Sequence, residues 1–290
     1  MGEMENEPQL IRELFDLPGA GAAQVVSQYR SRVGKTREES QEIGRLCMME
    51  GDYEGAITHF RRALEQTTGE RHEILLELGA AYEAAGMSPQ AYKQYKTAAK
   101  IRETGEIARG IGDVLKSYGK NTDALKELRR ATEIEPGNAY NHFRLAELFR
   151  RMGHPKMALE AIAGAVSFAA DDPFYHYWMG DLLLEVGRYD EAVLSFAAAA
   201  ELSPGDDRLF QLSAIALWGA GKRTEAIRAA RLASDLNSED RVNYGLLEVF
   251  LRLDGQKLEA DQESKRAGEM DAYDQDLLAR LIYLAGVRSD

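Results

Sequence analysis

Seven glycines fall almost in step along this chain. They are Gly51, Gly86, Gly119, Gly153, Gly187, Gly221 and Gly255, spaced by 35, 33, 34, 34, 34 and 34 residues. Five residues after each stands an alanine: Ala56, Ala91, Ala124, Ala158, Ala192, Ala226 and Ala260. Seven residues after that stands a second: Ala63, Ala98, Ala131, Ala165, Ala199, Ala233 and Ala267. Chance does not hold three small-residue series in one register across seven units. A fixed period of this length means stacked supersecondary units, each too small to bury its own apolar face.

Each series has a physical reading. The glycine ends a helix and supplies the positive φ of a tight turn. Alanines seven apart lie two turns along one helical face, and their small side chains let two helices approach closely. Between them, four residues after the first, comes a larger residue in five units: Phe60, Tyr95, Leu128, Ile162 and Phe196. The last two units hold Ala230 and Ser264 there, so looser packing is expected in them. Pro136 and Pro204 stop two second helices.

These residues resemble the tetratricopeptide-repeat (TPR) family. One unit matches its pattern through Leu78, Gly79, Tyr82, Gly86, Ala91, Tyr95 and Ala98. Another matches through Met179, Gly180, Gly187, Ala192, Phe196, Ala199 and Pro204. Gly44, Gly79, Gly112 and Gly180 fit the small mid-helix position. Ala146 and Ala214 substitute well there, Glu248 substitutes poorly, and Cys47 replaces the usual tyrosine. The resemblance covers residues 37–274. It implies an all-α fold: a right-handed α-solenoid of stacked antiparallel helix hairpins, with first helices lining the concave side. The implied units are 37–71, 72–104, 105–138, 139–172, 173–206, 207–240 and 241–274.

The ends depart from the period. Ala22 and Val26 align with Ala56 and Phe60, so residues 1–36 read as a degenerate repeat or helical cap. Leu10, Ile11, Leu14, Phe15 and Leu17 give that segment one apolar face, and Pro18-Gly19-Ala20-Gly21 breaks it. Residues 275–290 read as a C-terminal capping helix, a terminal half-repeat with Leu278, Leu281 and Ile282 at core positions. Leu277, Tyr283 and Leu284 broaden its apolar surface, which is expected either to be partly buried by the tail or to make contact between copies through the terminal helices.

The resemblance also implies a working surface, carried by five positions of each first helix. In the fourth unit these include Tyr140, Phe143, Arg150 and Arg151; in the fifth, Phe174, Tyr177 and Asp181; in the sixth, Arg208, Gln211 and Trp218. The third unit offers Arg109. Aromatic side chains beside arginine are the usual anchors of protein interfaces, so a peptide or helix of a partner protein is expected there. A chaperone-tail clamp is not: the positions that would hold it carry Gln41, Arg45, Leu76, Ala80, Arg109 and Asp113.

Composition narrows the rest. The net charge is −12, which disfavours phosphate backbones, so no nucleic-acid partner is expected. No apolar run reaches membrane-spanning length, so no direct membrane insertion is expected. The single cysteine, Cys47, excludes an internal disulfide. The acidic start MGEMENEPQL lacks the order of a signal peptide, which leads to a cytoplasmic expectation, or a periplasmic one if a leader has been removed. No phosphate loop or nucleophile elbow occurs. His142 and His176 share a position in adjacent units but lack a third ligand, so no metal and no cofactor is expected. The chain reads as a non-enzymatic scaffold or adaptor. The alternatives are a self-assembling scaffold and the targeting domain of a larger enzyme.

Overall fold

The computed structural model describes residues 34, 36–69, 71–268 and 275–287. The N-terminal cap read over residues 1–36 therefore lies, except for Gly34 and Thr36, outside the described residues. The chain divides into two compact units at Pro136 and Gly137. In the first, three hairpins follow one another: α1 (Arg37–Met49) with α2 (Tyr53–Glu65), α3 (His72–Ala84) with α4 (Ser88–Ile101), and α5 (Gly105–Ser117) with α6 (Asn121–Ile134).

The second unit holds four hairpins and a last helix. They are α7 (Ala139–Arg151) with α8 (Pro155–Phe168), α9 (Pro173–Glu185) with α10 (Tyr189–Leu202), α11 (Asp207–Gly219) with α12 (Arg223–Leu236), and α13 (Arg241–Leu253) with α14 (Lys257–Gly268). The last helix is α15 (Gln275–Leu284). All the described regular structure is helical, and both units are built from TPR-type hairpins packed side by side.

The stepped glycines make the turns. Gly51 has φ 74°, a left-handed conformation that costs a residue with a Cβ about 1–2 kcal/mol. Its N–H donates to the Met48 carbonyl (3.2 Å), and the next N–H, of Asp52, reaches back to Cys47 (2.8 Å). That pair of bonds closes the helix C-terminus in a Schellman motif. Asp52 then caps α2, its carboxylate accepting from the Gly55 N–H at 3.1 Å. One glycine thus joins two antiparallel helices, and the other six stepped glycines also have φ between 72° and 85°.

The alanine series forms the seams. Thirteen of its fourteen members are fully buried, and Ala267 is 7% exposed. The bulky series fills the space beside the small mid-helix position: a Cβ placed on Gly44 would stand 2.6 Å from the Phe60 ring, and one on Gly180 the same distance from Phe196. In the sixth hairpin Ala230 is itself fully buried, whereas Ser264 in α14 is half-buried.

First helices are also capped periodically. Thr104, Asn138, Asp172, Asp206 and Asp240 each accept a backbone N–H from the start of α5, α7, α9, α11 and α13. Such caps contribute about 1 kcal/mol each. They recur every 34 residues.

The C-terminal helix departs from the half-repeat reading. A half-repeat would stack on the hairpin of α13 and α14. Instead α15 packs chiefly on two first helices, α11 and α13. It buries Leu278, Leu281 and Ala285 there, while Leu277 and Tyr283 stay exposed. The physical reason lies in α14: only Ala260, Glu263 and Ala267 are buried in it, and Leu258 is 84% exposed. That helix offers little apolar surface to stack on.

Candidate partner-binding face

The face with the richest side-chain chemistry is made by first helices of the second unit. Helices α7 and α9 lie side by side, and Phe143 sits at the centre of their contact, 5% exposed. Its ring meets Phe174 edge-on at 4.9 Å and Trp178 edge-on at 5.0 Å, with Tyr140 at 5.7 Å and Tyr175 at 6.3 Å. Edge-to-face rings at such distances add about 0.5–1.5 kcal/mol per pair beyond burial. Tyr140 and Phe174 each remain 41% exposed, so the cluster has a buried centre and an accessible rim.

Arginines border these rings. The Arg150 guanidinium lies 5.2 Å from the Trp178 centroid, and that of Arg144 lies 5.9 Å from Tyr140. Arg150 also donates to the Asp181 carboxylate at 2.9 Å and to Glu185, so α7 and α9 are tied by charge as well as by rings. Burial pushes the Asp181 carboxyl above the ordinary range, and the Arg150 charge only partly offsets that. Burial likewise pushes the Tyr177 phenol up, helped by the negative charge of Asp181. The positive charge of Arg280, on α15, acts on both groups.

The remaining expected residues divide by exposure. Arg151 and Arg208 are exposed, and Tyr177 is half-buried, 6.4 Å from the Phe196 ring. Gln211 is 4% exposed and donates to Asn243 and Asp240, holding α11 to the start of α13. Trp218 is half-buried and stacks on Phe250 at 4.4 Å with an interplanar angle of 7°, with the Arg223 guanidinium 5.5 Å from its ring. Phe143, Asp181 and Gln211 thus act mainly in joining helices. Arg109 belongs to the first unit, half-buried on α5, where its charge acts on the Tyr95 phenol. That unit has its own tie between first helices: Glu77 of α3 accepts from Gln41 (2.7 Å) and Arg45 of α1.

Sequence reasoning missed Trp178, Tyr175, Arg144 and Arg280. Trp178 was legible as the residue four after Phe174, on the same helical face. Arg280 was not, because nothing in the period places α15 against first helices. This unit also carries an open cleft of about 590 Å³ between α10, α11 and α12, walled by Val193, Ala197, Phe210, Leu217 and Ala229.

His142, His176 and Cys47 are accounted for by packing and local polar contacts. His142 stacks on Phe168 at 5.4 Å, His176 Nε2 lies 2.9 Å from the Ala170 carbonyl oxygen, and Cys47 is 1% exposed in the core. Among the described residues no three His, Cys, Asp or Glu side chains are placed to share a metal ion. No described helix is long and apolar enough to cross a membrane.

Tetratricopeptide-repeat family models match residues 43–106 and 173–206. Over those residues the chain carries tetratricopeptide repeats. Solved TPR proteins share its fold. The C-terminal part of a TPR protein from Cytophaga hutchinsonii is 15% identical with a TM-score of 0.68, over 83% of this chain and 98% of that one. A TPR protein from Parabacteroides merdae is 18% identical with a TM-score of 0.55, over 87% and 100%. YrrB, described as a TPR protein with an unusual peptide-binding site, is 21% identical with a TM-score of 0.52, over 62% and 93%. No curated protein matches the chain. TPR proteins generally mediate protein–protein interaction, and neither family match points to an enzyme.

Proposed function

We propose that this protein is a non-enzymatic adaptor that holds a peptide or helix of a partner protein on the first-helix face of α7, α9 and α11. One observation carries the reading: the ring cluster of Tyr140, Phe143, Phe174 and Trp178, with two rings 41% exposed and two arginines against them. Rigid aromatic anchors cost little conformational entropy to bury, and arginine supplies directional contacts at the rim. Glu185, Arg151 and Arg208, all exposed, give the face both signs of charge, which suits a partner that also carries both. The peptide-binding site described for YrrB, a protein of the same fold, is consistent with this reading.

The test is capture of the natural partner from the native cell, with identification by mass spectrometry, followed by the variant Tyr140→Ala with Phe174→Ala. Both side chains are exposed at the rim, so helicity should be kept while capture is lost. Undiminished capture would move the site elsewhere. A second reading, self-association through the terminal helices α14 and α15, is favoured by Leu258 at 84% and Tyr283 at 78% exposure. A strict monomer by light scattering across concentrations would remove it.

A further inference from the structure

We infer that the first-helix face of α11 and α13 is a seat for an amphipathic helix, that α15 occupies it in cis, and that a partner helix of the same chemistry takes its place. This rests on the reading of the first-helix face as the partner-binding face and extends it to a regulated part of that face.

Two contacts and one charge define the seat. Gly245, on α13, occupies the repeat position that holds Tyr177 in α9 and Gln211 in α11. With no side chain it leaves a notch, and Leu278 fills it: the three atoms nearest to a Cβ built on Gly245 all belong to Leu278, the closest at 2.7 Å. The charge of Arg280 acts on Asp181 and Tyr177, the carboxylate and phenol that burial has perturbed on α9. At the far end, a Cβ on Gly286 would stand 3.6 Å from the Tyr189 hydroxyl at the start of α10. Thus α15 runs from the seventh hairpin back toward the fifth, across the face rather than beyond the stack.

The occupant's own pattern states what fits. Leu278, Leu281 and Ala285, at i, i+3 and i+7, are the face it buries, and the exposed Arg280 adds a positive charge whose field reaches Asp181. A partner helix with two leucines three apart, a small residue four further on and a basic residue immediately before the second leucine would match the same notch and the same field of charge. While α15 is seated, the apparent affinity for such a helix falls by the fraction of chains that are open.

The probe is a fluorescein-labelled, end-capped peptide of residues 275–287, followed by anisotropy against full-length protein. Leu278→Asp with Leu281→Asp should unseat α15, and the opened chain should bind the peptide at least about tenfold more tightly than the natural chain, because cis competition is gone. Adding Gly245→Met to the opened chain fills the notch and should abolish that gain. Circular dichroism confirms that both keep their helicity. If the double aspartate variant loses helicity, Arg280→Glu decides instead: it sets a further carboxylate near Asp181 and should tighten peptide binding about threefold or more. Equal binding by natural and opened chains, or a gain that survives Gly245→Met, overturns the inference. Neither result touches the reading of the ring cluster, which is tested by partner capture.

Discussion

Gly153, at φ 74°, shows what one residue must do here. Its N–H bonds to Arg150 and the following His154 N–H bonds to Phe149, and only a left-handed residue lets both form. Gly153→Ala should therefore cost about 1–2 kcal/mol by urea denaturation. Gly137→Ala, at an open position without positive φ, should stay within about 0.5 kcal/mol. Asp181 makes a subtler case. Its carboxyl is raised in the folded chain, so the fold binds more protons than the unfolded chain between the ordinary carboxylate pKa near 4 and the raised value. Its contribution to stability is then fullest below about pH 4 and is lost as pH rises through the folded pKa. Asp181→Asn should gain on the natural protein in melting temperature between pH 4 and pH 7. The reverse trend would mean that the Arg150 ion pair outweighs burial.

At the scale of elements, the hairpin is the unit, and its turns and caps repeat with it. The period of glycines and alanines was enough to place every turn between paired helices, because a tight turn and a close seam each demand one residue type. The caps were equally legible but less conspicuous, since Thr104, Asn138, Asp172, Asp206 and Asp240 differ in kind and share only the ability to accept a backbone N–H. Asp172→Ala should destabilise the chain by about 1 kcal/mol, with the loss seen as faster amide exchange in the first turn of α9. Phe196→Ala should cost more, about 3–5 kcal/mol. Its fully buried ring packs against Gly180, which cannot grow to fill the space.

At the scale of the molecule, α15 gives the second unit a feature beyond its period. Leu278→Ala shortens the side chain in the Gly245 notch and should speed amide exchange across residues 275–287 while leaving α7 protected, because local opening needs only the contacts of the opened segment to be lost. An equal change in both would mean that α15 is part of one cooperative core.

The sequence by itself determined the helical hairpins, their turns, their seams and the helix faces on which aromatic and basic residues cluster. These follow from local rules, as helix periodicity, positive φ and side-chain volume are set residue by residue. Only the tertiary structure decided which of those residues face outward and which join neighbours: Gln211 and Trp218 share register with the exposed Arg208 and Tyr140 face but spend their contacts on Asn243 and Phe250. It also decided where α15 goes. An amphipathic helix buries its apolar stripe on whichever surface accepts it, and the notch at Gly245 lies 33 residues before the Leu278 that fills it, where no local rule speaks for the pairing.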